Sequence, residues 1–137
     1  MLDIQPSQIL YLEYGDARLY IEVIQTVSRN RLWARPLMLV QGLPRDPYHR
    51  QQAITTAAVD LDNCALTLLD LKSSPDLVWP RDAFHIAFDT DFFSLLFHLK
   101  ISERPIDSEE VRQQFKQFVQ GCWQKYTASG DPTRVLS

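Results

Sequence analysis

Between Asp76 and Lys100 the chain reads DLVWPRDAFHIAFDTDFFSLLFHLK, and no other stretch restricts the fold as much. It carries Trp79, Phe84, Phe88, Phe92, Phe93 and Phe97, six of the fifteen aromatic residues. Aromatic side chains dominate core and interface energetics, so a segment this rich must be covered, either by the chain's own core or by a partner. Within it, Leu77-Val78-Trp79 reads as a brief strand that Pro80 ends or pushes to a sheet edge. The following RDAFHIAF suits a helical turn through Phe84 and Phe88 and equally a strand through Phe84, Ile86 and Phe88. Thr90 or Asp89 can then cap a helix over about 91–100, with Phe92, Leu95, Leu96 and Leu99 on one stripe and Phe93 and Phe97 widening it.

The elements that would meet this segment are legible on either side. Ile9 to Tyr14 is a short apolar run, Gly15-Asp16 follows, and Ala17 to Val27 sets Leu19, Ile21, Val23 and Val27 at alternate positions. Gly-Asp between two such runs predicts a two-residue hairpin, because glycine tolerates the positive φ that this turn demands. Tyr20, Glu22, Ile24 and Thr26 fall on the opposite face, whose mixed character implies a partly wet side. Leu32 to Val40 resumes the extended pattern, and Pro36, which lacks a ladder donor, requires an edge position or a bulge. From 41 to about 63 the signals weaken, and RQQAITTAA suits a short helix or a loop, having no clear apolar stripe. Cys64 to Leu71 is short, apolar and bounded by turn residues, as a buried strand would be.

The last element has a defined start. Asp107 as N-cap with Glu110 three residues on makes an acidic capping box, and Ile106 can pack on Val111 as a hydrophobic staple. Val111, Phe115, Phe118, Val119, Cys122, Trp123 and Tyr126 then recur at spacings of three and four, a stripe that must dock on something. Ser129-Gly130-Asp131-Pro132 ends it, and the residues beyond are expected to fray. The expected architecture is therefore one α+β domain over 1–137. A small bent antiparallel sheet or partly open, Src-homology-like barrel spans 9–80, covered by two C-terminal helices at about 91–100 and 107–126.

Charge narrows the function classes. A formal net charge of -3 and a pI near 5.5 disfavour nucleic acid as partner, since phosphate binding rests on clustered Lys and Arg. No run of eighteen apolar residues offers a membrane span, and MLDIQPSQIL has no basic region ahead of an apolar run. A cytoplasmic chain is expected, with peripheral attachment to a membrane complex left open.

Chemistry-bearing residues are few, and no cofactor is expected. His49, His85 and His98 lack HExxH or paired spacing, although His85 and Asp89 would share a face if that segment were helical. Asp82, Asp89 and Asp91 resemble a carboxylate cluster, but Phe92 and Phe93 interrupt any calcium-loop pattern and helix capping accounts for the last two aspartates. Cys64 on an apolar strand and Cys122 on a buried stripe sit where thiol acidity falls. Neither GxGxxG nor GxxxxGK occurs.

What remains is a binding surface for a protein partner. Trp33, Arg35, Arg45, Tyr48, His49 and Arg50 gather aromatic and guanidinium groups on the proline-containing strand and the loop after it, and Trp, Tyr and Arg are enriched at binding hot spots. Trp79-Pro80-Arg81-Asp82 forms a second such group. The plainer alternative is that both tryptophans close the core and the arginines are merely solvated. A competing function is a small enzyme or ligand carrier using His85, His98 and the nearby aspartates in an aromatic pocket lined by Phe84, Phe88 and Phe92.

Leu77-Val78-Trp79-Pro80-Arg81, with Phe84, Phe88-Asp89-Thr90-Asp91 and Leu95-Leu96, resembles small conserved proteins of cyanobacteria and plastids that accompany photosynthetic complexes. The resemblance covers about a third of the chain. It implies a non-catalytic accessory subunit or assembly factor, on the ferredoxin side of the photosynthetic NAD(P)H dehydrogenase-like complex, and it brings no site residues with it.

Overall fold

The architecture follows from one long antiparallel ribbon. In the computed structural model, which describes residues 4–57, 66–102 and 108–129, strand β1 (Ile9–Tyr14) turns through Gly15-Asp16 into β2 (Ala17–Ser28). Tyr14 pairs with Ala17 and Gly15 has φ +60°, so the two-residue hairpin expected from the sequence is present. β2 pairs in turn with β3 (Arg31–Gln41).

Pro36 sits at a bulge, as its missing donor requires. Tyr20 pairs with Met38 but Ile21 pairs with Pro36, which leaves Leu37 as the extra residue. The strand itself is not an edge. Its second half, Met38–Gln41, pairs with β4 (Thr67–Asp70), and its first half, Arg31–Ala34, pairs with β5 (Leu77–Pro80). Pro36 falls between these two partners, at the one level where no donor is asked of it. Further register shifts at Val23/Gln25 and Thr26/Ser28 carry Val27 away from the inward set of Leu19, Ile21 and Val23, and it is exposed.

Helix α1 (Pro47–Thr56) resolves the ambiguous 41–63 stretch in favour of a helix for that part. Asp46 caps it, accepting from the His49 backbone N–H at 3.0 Å, and Pro47 occupies its first turn. After β5 comes a 3-10 turn (Arg81–Ala83) and then β6 (His85–Ile86), a two-residue strand on the outer side of β1. Helix α2 (Asp89–Ser102) and helix α3 (Ser108–Ser129) complete the described chain. Cys64, the capping pair Ile106 and Asp107, and the tail after Ser129 lie outside the described residues.

The result is α+β, with an open, bent six-stranded antiparallel sheet in the order β4-β3-β2-β1-β6 and β5 alongside β3. The two C-terminal helices cover it from opposite sides. Leu10, Leu12, Leu19, Ile21, Leu32 and Leu39 meet Phe115, Phe118 and Cys122 of α3 on one face. Tyr20, Met38 and Val40 on the other meet Ile54 of α1 and Phe92 and Leu95 of α2. Alternation along β1 and β2 thus serves two cores, and along β2 the second face turns wet from Glu22 onward.

Among the described residues, Ser7 is the one non-glycine residue with a positive φ. The Gln5-Pro6-Ser7-Gln8 turn is closed by the Gln8 N–H donating to the Gln5 carbonyl at 3.3 Å, with Ser7 at φ 71° in its third position. That position of a type II turn favours glycine. Ser7→Gly is expected to raise stability by about 0.5–1 kcal/mol, the left-handed penalty outweighing the extra chain entropy. A denaturation midpoint that falls instead would show the serine is needed there.

Candidate functional site

The residues singled out from the sequence divide by what the sheet does with them. Arg45, Tyr48, His49 and Arg50 lie at the start of α1. Arg45 and Tyr48 are exposed, and Gln52 Nε2 donates to the Tyr48 hydroxyl at 2.8 Å. His49 Nδ1 stands 2.7 Å from the Asp46 carboxylate that caps the helix. Arg50 turns inward. Its Nη1 donates to Glu13 Oε2 at 2.7 Å, its Nε to the Pro44 carbonyl at 2.8 Å and its Nη2 to the Gly15 carbonyl at 2.9 Å. It clamps α1 to the β1–β2 hairpin, so its role is in the protein's own packing.

Glu13 takes a second guanidinium. Arg18 Nη2 and Nε donate to the same carboxylate oxygen at 2.9 and 3.1 Å, while Arg18 Nη1 donates to the Tyr20 hydroxyl at 3.2 Å. The Arg18 guanidinium also lies 3.9 Å from the centre of the Tyr11 ring. Burial pushes the Glu13 carboxyl up, but the Arg50 hydrogen bond and the Arg18 charge outweigh it and hold the group below its ordinary value.

Trp33 and Trp79 occupy opposite faces of the sheet. Leu32 pairs with Trp79 and Trp33 with Val78, so two residues adjacent in register point opposite ways. Trp79 is buried against α3, edge-on to Trp123 at 5.4 Å, and its indole N–H finds no acceptor among the described residues. Trp33 is half-buried on the other side, its Nε1 donating to Asp76 Oδ2 at 2.9 Å. Arg35 stands exposed beside it, 3.9 Å from both Asp76 and Glu22, too loose to hold it in one place. The Arg81 backbone N–H donates to the Asn30 carbonyl at 2.7 Å and fastens the end of β5 to the β2–β3 turn.

Around β5 the structure adds residues that sequence reasoning did not single out. Val78 is 54% exposed and Trp123, expected on a buried stripe, is 44% exposed. Trp123 stacks on Tyr126 at 5.8 Å, and the Tyr126 hydroxyl donates to Asp82 at 2.8 Å, which ties the end of α3 to the 3-10 turn. Among the described residues β5 pairs with β3 alone, so its other edge is the open margin of the sheet. Trp33, Arg35 and Val78 on one face and Trp123, Tyr126 and Asp82 on the other thus flank an open strand. The signal available in the sequence was the width of the α3 stripe, too broad for one sheet face to cover.

The histidine and carboxylate residues do not converge. Phe84 packs in the α3-side core, Phe92 in the α2-side core, and Phe88 is exposed, so the three do not line one pocket. His85 is exposed and stacks on Tyr11 at 5.1 Å. Asp91 is buried and accepts from Gln51 Nε2 at 3.0 Å. The side chain of His98 is outside the described set. Among the described residues no three His, Cys, Asp or Glu side chains are grouped to hold a metal. Burial pushes the Cys122 thiol up to about 11, against a small opposing pull from Lys125, which leaves it protonated and unreactive at neutral pH.

Fold and surface together define an open-sheet α+β protein with aromatic side chains left in solvent. Compared with known proteins, the chain matches no family model, no curated protein and no solved structure. No helix among the described residues is long and apolar enough to cross a membrane.

Proposed function

We propose that this chain is a non-catalytic protein–protein interaction module, an accessory subunit or assembly factor that docks on a larger complex through the margin of β5. The observation that carries the reading is the pairing of an open strand edge with partly exposed Trp123 and Val78, one on each face of it. A partner segment in extended conformation would add to the edge through main-chain hydrogen bonds, with the flanking rings and Arg35 supplying side-chain selectivity. Pro80 limits that addition to the first part of the strand, where Leu77 to Trp79 can still offer backbone groups.

The likeness to accessory proteins of photosynthetic complexes includes β5 itself (Leu77–Pro80) among its residues, and it is what suggests a photosynthetic assembly as the larger complex. Peripheral association with such an assembly requires no membrane span of the chain's own.

The test is retention of a stoichiometric partner from native extract of the source cells. Wild-type protein is expected to hold one, and Trp123→Ala to weaken it about 30-fold, the effect of removing a hot-spot tryptophan. Trp123 is nearly half in solvent, so the fold should survive the change. Failure of the wild-type protein to hold any stoichiometric partner, or full retention by Trp123→Ala, would rule the reading out.

A further inference from the structure

The open margin of β5 has a hydrogen-bonding pattern that its register fixes. In an antiparallel ladder, residues whose N–H and C=O face one neighbour alternate with residues whose groups face the other way. The Arg81 N–H donates to the Asn30 carbonyl at 2.7 Å, and the same ladder sets Trp79 against Leu32 and Leu77 against Ala34. Leu77, Trp79 and Arg81 therefore turn their backbone groups to β3. Val78 turns both of its groups to the open side, where Pro80 can add only a carbonyl.

The side chains along this margin run in a definite order. On the face that carries Val78, alternation and register place Asp76 beside Arg35, Val78 beside Trp33 and Pro80 beside Arg31. Asp76 is exposed at one end of this row. Arg31 is exposed at the other, with no ion pair among the described residues. Val78, itself 54% exposed, lies between them.

That order selects the occupant. With a second copy of β5 laid antiparallel about a two-fold axis at Val78, the Val78 N–H of each copy donates to the Val78 carbonyl of the other. The same axis sets residue 76 of each copy opposite residue 80 of the other, with Arg31 of that other copy one strand further on. Two strand spacings are about 10 Å, and the long Arg31 side chain closes that gap over the short Pro80 to reach Asp76. A parallel arrangement would set Asp76 against Asp76. We propose that the β5 margin is a self-association seam, on which two copies of this chain pair antiparallel through the Val78 backbone and through Asp76 of each copy with Arg31 of the other. The inference rests on the adaptor reading in taking this margin as the docking edge, and it names what occupies the edge when no larger complex is present. So short a seam falls well below the roughly 800 Å² per partner of a stable interface. The pairing is therefore weak and reversible, with a dissociation constant on the order of 100 μM.

Sedimentation equilibrium on the purified chain, from about 5 μM to about 1 mM, brackets that constant and needs no partner from extract, so its failure is separate from failure of the adaptor reading. The wild-type mass is expected to rise from monomer towards dimer. Arg31→Asp alone and Asp76→Arg alone should each weaken association about tenfold, by setting like charges together across the two-fold. An equimolar mixture of the two should recover it, because each copy then offers the charges the other lacks. Val78→Pro removes the outward N–H at a position where β3 asks for no donor, so it should abolish the dimer and leave the fold in place. The charge exchange covers the case in which that proline disturbs β5. A wild-type chain that stays monomeric at every concentration overturns the proposal, even where the same chain retains a partner from extract. So does a dimer that survives Val78→Pro, which would place the contact on another surface such as the exposed Phe93 and Phe97 of α2, or a mixture no tighter than its two components.

Discussion

Glu13→Ala is expected to lower stability by about 3 kcal/mol, an effect large enough to move the melting temperature by roughly 10 °C in a domain of this size. One carboxylate oxygen accepts from both Arg18 and Arg50, whose side chains are only 7% and 13% exposed. Removing it leaves two guanidinium groups shut away from water without their counter-charge, a far costlier state than a surface pair broken in solvent. It also releases α1 from the hairpin, since Arg50 would keep only its two carbonyl acceptors. Adding Arg50→Ala to Glu13→Ala should therefore cost less than the sum of the two single changes, with about 1–2 kcal/mol of coupling in the cycle. Urea denaturation of the four proteins measures it. Strict additivity would show that Glu13 and Arg50 do not act together.

The same carboxylate sets a pH signature. Its folded-state pKa lies below the ordinary 4.5, so the folded protein holds the charged form more strongly than the unfolded chain does. The stability this provides is fully present above the unfolded value and is lost as pH falls through the folded one. Asp46 is shifted the same way, by the His49 backbone N–H first and its imidazole second, and contributes to the acid limb as well. The Glu13 share is isolated by comparison. Wild type should lose more stability between pH 6 and pH 3 than Glu13→Gln does, and parallel profiles would show that the carboxylate charge is not what the two arginines hold.

The parts of this fold that were legible in the sequence are those set by neighbours in the chain. Gly15 at φ +60° makes the hairpin, and the three-and-four spacing from Val111 onward makes α3, because both depend on local geometry. Pro36 announced either an edge or a bulge for the same reason, and the bulge is what the strand carries. That the strand holding it lies inside the sheet depends on β4 (Thr67–Asp70) and β5 (Leu77–Pro80), which come much later in the chain and stop on either side of the proline. Helix α1 was ambiguous because Ile54 is its one large buried side chain, and what fixes it is a cap from Asp46 and a clamp to Glu13, neither of which leaves an apolar period. The placement of the tryptophans was not legible either. Residues 33 and 79 read alike as sequence, yet the register that sets Leu32 against Trp79 sends one ring into the core and leaves the other half in solvent. α2 showed the converse limit, since a sequence apolar all round declares that a face must be covered without saying which face the sheet leaves out.

Gly121→Ala should destabilise the wild-type protein and stabilise Tyr14→Ala, a reversal of sign that follows from one close approach. Gly121 is buried on α3 where the helix crosses β1, and a Cβ built there meets the Tyr14 ring, with Cζ at 2.6 Å and Cδ2 at 2.9 Å; its three nearest atoms all belong to that ring. Real Cβ contacts do not come so close, so the ring must move, and in moving it loses its edge-to-face contact with Phe118 at 6.4 Å. That loss and the displacement strain cost about 2 kcal/mol together, against the gain of about 1 kcal/mol that alanine brings to a helix interior. The net is about 1 kcal/mol unfavourable. Gly121→Leu, which forces more side chain into the same space, should lose about 3 kcal/mol. With Tyr14 cut back to alanine the obstruction is gone and the helix propensity stands alone, so Gly121→Ala should then raise stability by about 1 kcal/mol. The coupling between the two positions is thus about 2 kcal/mol, read from denaturant midpoints of the four proteins. The same sign in both backgrounds would mean that α3 rides over β1 with room to spare, and that the Tyr14 ring is not what requires glycine at this crossing.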